Sequence, residues 1–211
     1  MGEDERLVEN LDQLLKEQDF KSVLILSVKC GIFNISKTRC LVLACFFIFY
    51  FLISFEIFKK DYIKNFTTIL DASITITLAL FAIIFTGYAL FQALTNGNSL
   101  KRLLTANIKE QSFFKTYNLY FFILSISFLS IIILSFILVT IFKIIDPEWY
   151  LKLLPPKVNF ILANILVSFY LTLVINIICE VKSFIFNLYQ VFNLNAFSNG
   201  IEMVKKKKEN K

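Results

Sequence analysis

The chain has 211 residues, a net charge of +6 and a hydrophobic content of 57%, and it contains no histidine. Histidine is the commonest general base and a frequent metal ligand, so its absence argues against most hydrolytic and metal-dependent chemistry. The sequence has no phosphate-binding glycine loop, GxSxG motif or HExxH motif. We therefore expect no catalytic residue, no cofactor, no metal site and no nucleic-acid partner.

Four long uncharged runs predict the fold class. A spanning helix needs about 20 mainly apolar residues, because the hydrocarbon core is about 30 Å thick and a helix rises about 1.5 Å per residue. The runs therefore predict an all-α protein, a four-helix transmembrane bundle. The predicted spans cover residues 40–58, 73–95, 117–142 and 158–179. They form one membrane domain, 40–179, between an N-terminal segment, 1–39, and a C-terminal segment, 180–211.

Lysine and arginine are distributed unequally between the two sides of the predicted bundle. The N-terminal segment, the 101–115 loop and the C-terminal segment carry 16 of the 22 Lys and Arg residues. By the positive-inside rule, this side is the cytoplasm. We expect a multi-pass protein of the cell membrane, with both termini cytoplasmic and the lipid bilayer as a partner.

The N-terminal segment begins with an amphipathic pattern. Its apolar positions follow the spacing of one helical face: Leu7, Val8, Leu11, Leu14 and Leu15. The pattern predicts a helix over residues 4–18. This helix either covers the cytoplasmic end of the bundle or docks a partner. Residues 20–36 are apolar but interrupted by charge, and a strand, an interfacial helix and a re-entrant segment all stay open for them.

The second span carries a seam of small and weakly polar residues, which contains five of the nine alanines of the chain. The steps alternate between three and four residues: Ala72, Thr75, Ala79, Ala82, Thr86, Ala89 and Ala93. This average of about 3.5 residues per turn suits left-handed packing at about 20°. Small side chains also let helix backbones approach closely in lipid, so we expect the seam to face protein. Packing inside one subunit and packing at an oligomer axis both stay open.

The two loops that follow contain local helix and turn signals. Asn96-Gly97 is a turn signal, and residues 100–108 then predict one or two helical turns. In the second outer loop, Asp146-Pro147-Glu148 predicts the start of a short helix, because Asp caps well and Pro suits the first helical position. Trp149, next in the chain, suits the membrane interface.

The fourth span contains a polar stripe in which every fourth residue is polar. Its members are Asn164, Ser168, Thr172, Asn176 and Glu180. Asparagine in hydrocarbon is costly unless its amide finds a partner. Interhelical hydrogen bonding and the lining of a wet pore both stay open as roles for the stripe.

The apolar helical face continues beyond the fourth span. It predicts a helix of about 40 residues from Val158 that extends into the cytoplasm and is closed by Asn199-Gly200. A basic tail follows, formed by Lys205, Lys206, Lys207 and Lys208. Such a lysine cluster is attracted to anionic lipid, so we expect it to bind the membrane surface.

These features together predict a non-enzymatic protein. We expect a homo-oligomer that acts as a scaffold or membrane effector for a cytoplasmic partner bound through 1–20 and 180–211. The abundance of Phe, Ile, Lys and Asn indicates an AT-rich, bacterial genome. Phage defence and bacteriocin or toxin immunity suit such a protein by analogy. The alternative is an ion channel or small-solute pore lined by the fourth-span stripe.

Overall fold

The computed structural model describes residues 3–16, 19–29, 36–57, 61–108, 111–146 and 152–209. Within these ranges the chain is almost entirely helical, which confirms the all-α class. The helices are α1 (Glu3–Leu15), α2 (Phe20–Lys29), α3 (Lys37–Ile57), α4 (Tyr62–Leu94), α5 (Gly97–Thr105), α6 (Phe113–Ile144) and α7 (Pro156–Glu209). The short helix predicted in the second outer loop, around Trp149, lies outside the described residues.

Four of these helices, α3, α4, α6 and α7, are long and apolar enough to cross a membrane. Each coincides with one predicted span. The largest difference at the start of a span is in α4, which begins at Tyr62 rather than at residue 73. Its first turns are helical because Phe66 and Leu70 are buried in the core, 4% and 0% exposed.

The helical turns predicted within residues 100–108 are present in α5, but they end earlier than predicted. Helix α5 ends at Thr105, and β1 (Asn107–Ile108) pairs antiparallel with β2 (Gln111–Ser112). The Phe113 amide then donates to the Ala106 carbonyl over 2.9 Å and closes the hairpin. Gly97, which opens α5, has a φ of +48°, a conformation that glycine adopts without steric cost.

Helix α7 continues without a break to Glu209, so the predicted end at Asn199-Gly200 is wrong. A glycine ends a helix by adopting a positive φ, and Gly200 does not do so. The helix is also supported beyond this point, because Lys206 and Glu202 form an i,i+4 ion pair of 2.9 Å.

The chain divides into two compact units. The first unit consists of Met1–Asn34, Ala82–Ser125 and Val181–Lys211, and the second of Ile35–Phe81 and Ile126–Glu180. The second unit has a core from α4, α6 and α7. There the Phe66 ring meets the edges of Phe142 at 5.0 Å and Tyr170 at 6.1 Å. The Ser135 and Tyr170 hydroxyls are 2.7 Å apart in this core.

The first unit has its own aromatic core. Phe121 lies 5.3 Å from Phe91 and 5.4 Å from Phe184, measured between ring centroids. Gly87 permits this packing, because a Cβ there would lie only 2.2 Å from the Cζ of Phe184. Helix α1 packs on α5, and α2 places Phe20 5.6 Å from the ring of Phe122. Residues 20–29 are helical, which excludes a strand there, whereas an interfacial helix and a re-entrant segment both stay open and residues 30–35 lie outside the described residues.

Candidate functional site

The polar stripe of the fourth span lies on α7 in the second unit. Asn164 and Ser168 are completely buried. The Asn164 amide donates to the Phe160 carbonyl over 2.8 Å, and Ser168 donates to the Asn164 carbonyl over 2.7 Å. Thr172 continues the series with a 2.7 Å bond to the Ser168 carbonyl. These bonds run along the helix itself and satisfy both hydroxyl hydrogens and one of the two amide hydrogens of Asn164 without a second helix.

The end of the stripe contacts a residue of α3. Arg39 donates to the side-chain oxygen of Asn176 from Nε over 3.1 Å and from Nη2 over 2.5 Å. Its Nη2 also donates to the Asn176 carbonyl over 3.1 Å, and its Nη1 pairs with Oε1 of Glu180. We call these three residues the Arg39 cluster. It satisfies two of the five stripe residues with a single guanidinium.

The Arg39 cluster is built from three residues on two helices. Arg39 lies in the first turn of α3, where its amide donates to the Ser36 hydroxyl over 3.2 Å. Asn176 and Glu180 are one turn apart on α7 and so share a face. The planar guanidinium presents several N–H groups at once, which suits a carboxylate and an amide oxygen together. The cluster therefore links α3 to α7 by charge-assisted hydrogen bonds.

Sequence reasoning missed Arg39 as a partner of the stripe. It counted Arg39 only as one of the cytoplasmic charges that orient the chain. The signal was nevertheless present: a cation starts the first span and a carboxylate ends the fourth, and both belong to the same predicted membrane surface. Oppositely directed helices place such residues at one level.

A second ion pair in this unit has a different character. Lys143 Nζ lies 3.5 Å from Asp71 Oδ2, with the two side chains 58% and 53% exposed. Exposed pairs of this kind contribute about 0–1 kcal/mol. In the Arg39 cluster the Arg39 and Glu180 side chains are 27% and 16% exposed, so the cluster is the stronger connection.

The seam of the second span lies on the outer side of α4. All seven members, Ala72, Thr75, Ala79, Ala82, Thr86, Ala89 and Ala93, are exposed. The Thr75 and Thr86 hydroxyls donate to the Asp71 and Ala82 carbonyls over 2.9 Å and 3.0 Å, so their polar hydrogens are already satisfied. Two roles were left open for the seam, packing inside one subunit and packing at an oligomer axis. None of the described residues covers the seam, so the packing inside one subunit is not seen among them.

A different stripe of α4 faces the interior. In the second unit, Ser73 and Thr77 are 7% and 0% exposed, and in the first unit Ile84 and Phe91 are fully buried. Tyr88 and Gln92 of α4 are within 3.4 Å and 3.2 Å of the side-chain oxygen of Asn118. These residues make the contacts of α4 inside each unit, and the alanine-rich face remains outside.

The N-terminal helix turns a polar residue inward. Asn10 is 3% exposed, whereas Val8, Leu11 and Leu15 are 60%, 42% and 67% exposed. The Asn10 amide donates to the Leu104 carbonyl over 2.6 Å, at the end of α5 where helical carbonyls lack partners in their own helix. Three of the apolar residues of α1 are therefore left at the surface, while Leu7 and Leu14 are partly buried.

The C-terminal part of α7 is both apolar and basic at its surface. Phe184 and Val191 are buried, but a row of apolar side chains is exposed. This outer row consists of Ile185, Phe186, Tyr189 and Phe192. The basic residues Lys205, Lys206, Lys207 and Lys208 form exposed turns of the same helix rather than a separate tail. An apolar surface and a cationic surface therefore follow each other along one helix.

Cys40, Cys45 and Cys179 are free thiols in the described residues. Across the same residues no group of three His, Cys, Asp or Glu side chains is placed to hold a metal ion. Comparison of the chain with protein-family models, with curated proteins and with solved structures finds no match.

Proposed function

We propose that this protein is a non-enzymatic bacterial membrane protein that assembles with copies of itself through the α4 seam. In the assembly it acts as a scaffold or membrane effector for a cytoplasmic partner. The observation that carries the proposal is the exposure of all seven seam residues, from Ala72 to Ala93. Phage defence and bacteriocin or toxin immunity are the host-protective roles that we propose for it.

The seam has the properties of a helix contact surface in lipid. Apolar burial does not drive helices together there, because lipid tails are as apolar as side chains, so close packing must do so. Five alanines and two threonines allow two backbones to approach, and the seam repeat suits a left-handed crossing. The threonine hydroxyls are satisfied within α4, so a partner helix needs only to match shape.

The cytoplasmic partner would meet the apolar surfaces that the first unit leaves open. The outer row of α7, Ile185 to Phe192, and Val8, Leu11 and Leu15 of α1 supply these surfaces. With both termini cytoplasmic, which the lysine and arginine distribution favours, all of them belong to the same side. We do not propose the pore, because the stripe that would line it begins with two completely buried residues, Asn164 and Ser168.

The experiment that tests assembly is the mass of the full chain in nanodiscs, with Ala82→Leu and Ala89→Leu introduced together. Leucine on the seam separates the two backbones, so we expect a discrete oligomer to become a monomer. Ile76→Leu and Ile83→Leu are the matched controls, because both positions are exposed on α4 outside the seam. They should leave the oligomer intact.

The same variants have a cellular readout. Bacteria expressing the chain are challenged with phage or bacteriocin, and we expect protection to be lost with the seam pair and kept with the controls. A wild-type monomer in nanodiscs contradicts self-assembly. An oligomer that protects against no challenge contradicts the host-protective role and leaves assembly standing.

A further inference from the structure

The first unit contains a cavity of about 840 Å³ that the proposed function does not use. Four helices contribute to it: α1, α5, the start of α6 and the C-terminal part of α7. We call it the arginine cavity, since Arg6 and Arg102 line it. Such volumes are typical of small-molecule sites, which combine an apolar lining with a few polar groups.

Specific contacts hold helix α1 and the Arg102 side chain at this cavity. Asn10 fixes α1 to the end of α5 through its bonds to the Leu104 carbonyl at 2.6 Å and the Asn107 side chain at 3.2 Å. Arg6 is one turn before Asn10 and so projects from the same face of α1. The Arg102 guanidinium lies 5.0 Å from the ring centroid of Phe197, a cation–π distance.

The charges of the cavity lining favour an anionic ligand. None of the described lining residues is an aspartate or glutamate, and no carboxylate of the described chain pairs with Arg102. The guanidinium of Arg102 meets an aromatic face instead, which leaves N–H groups for an anion. Arginine matches the oxygen atoms of phosphate with its planar fork of donors.

The remaining lining selects for an apolar body attached to that anion. Leu103 and Val191 are 3% exposed and form apolar wall, together with Leu194 and the rings of Phe113 and Phe197. Tyr117, at the cytoplasmic end of the predicted third span, also lines the cavity. A cavity at this level is within reach of phospholipid headgroups.

We propose that the arginine cavity binds a phosphate ester with an apolar body, its phosphate held by Arg6 and Arg102. An anionic phospholipid of the cytoplasmic leaflet and a soluble phosphate ester share this chemistry. The site is separate from the Lys205–Lys208 run, which attracts anionic surfaces through charge alone. The proposal does not depend on self-assembly through the α4 seam.

The test is native mass spectrometry of the full chain released from detergent. The probes are dihexanoyl phosphatidylglycerol, dihexanoylglycerol without phosphate, phenyl phosphate and inorganic phosphate. We compare wild type with Arg6→Gln and Arg102→Gln. Lys101→Gln is the control, because it removes the same single positive charge. Lys101 neighbours Arg102 on α5 but is not among the described residues that line the cavity. Each arginine variant should lose about tenfold or more in affinity, and the control should bind as wild type does.

The outcomes distinguish a phospholipid ligand from a soluble phosphate ester. Arginine-dependent binding of phosphatidylglycerol alone supports the proposal with a lipid as ligand, and equally tight arginine-dependent binding of phenyl phosphate supports it with a soluble ligand. Equal binding of dihexanoylglycerol or of inorganic phosphate overturns it, because the cavity would then not need both parts. Unchanged binding in Arg6→Gln and Arg102→Gln also overturns it. Since Arg102 packs on Phe197, Arg6→Gln on the surface of α1 keeps the test valid if Arg102→Gln misfolds.

Discussion

Replacing Arg39 with Gln should destabilise the second unit, because it leaves Glu180 with its charge in a largely enclosed place. Removing one partner of a fully buried ion pair costs about 3–5 kcal/mol. The Arg39 and Glu180 side chains are 27% and 16% exposed, so some solvent remains to stabilise the carboxylate once the guanidinium is gone. Hydrogen bonds between membrane helices also contribute only about 0.6 kcal/mol on average. We therefore expect a loss of about 2–3 kcal/mol, below the buried limit.

The assay is reversible unfolding of the full chain in mixed micelles with increasing sodium dodecyl sulfate, followed by circular dichroism. A double-mutant cycle with Arg39→Gln and Glu180→Gln isolates the coupling between the two charges, which we expect to be about 1.5 kcal/mol. Asp71→Asn is the control in the same unit. It breaks the 3.5 Å pair with Lys143, whose partners are more than half exposed, and should cost no more than about 0.5 kcal/mol.

The reasoning about the Arg39 cluster is refuted if Arg39→Gln costs no more than Asp71→Asn. It is also refuted if the cycle gives a coupling below about 0.5 kcal/mol, the scale of an exposed pair. Either result would mean that α3 is held to α7 by apolar contacts such as that between the Phe55 and Phe160 rings, 5.5 Å apart.

Two further substitutions test the packing of α4 and α7. Gly87→Ala should destabilise the first unit by about 1–3 kcal/mol, because its Cβ would meet the Phe184 ring at 2.2 Å. Adding Phe184→Leu should restore most of this loss in the same unfolding assay, and a single Gly87→Ala variant as stable as wild type would contradict the close approach. Asn164→Leu should leave stability unchanged or raise it by about 1 kcal/mol, since Asn164 Oδ1 is buried without a hydrogen-bond partner in the described chain. A loss above about 1 kcal/mol would show that this oxygen does have a partner.

The four long helices were predictable from the sequence because hydrocarbon thickness sets a minimum apolar length that few other segments meet. Their ends were less predictable. Lys64 and Asp71 made the start of α4 look like a loop, yet burial of Phe66 and Leu70 keeps that part of the helix in place. At Asn199-Gly200 the local signal for a helix end was overridden by the turns that follow.

The candidate site was predictable only in part, because periodicity identifies a helical face but not what covers it. The amphipathic pattern correctly predicted a helix in α1, but the residue that turns inward is Asn10. Its partner is a carbonyl 94 residues away in the chain, and no local pattern reports that carbonyl. The arginine cavity was missed for the same reason, since its two arginines come from separate helices.

The single long helix α7 has a consequence for how the protein is made. It supplies Val167, Tyr170 and Val174 to the core of the second unit, and Phe184 and Val191 to the interior of the first. Both cores therefore stay incomplete until the ribosome has released the last of the described helices. Chains that stop before α7 would leave the inward faces of α4 and α6 uncovered, and incomplete cores of this kind are prone to aggregate. Neither unit can therefore complete its core before α7 has been synthesised.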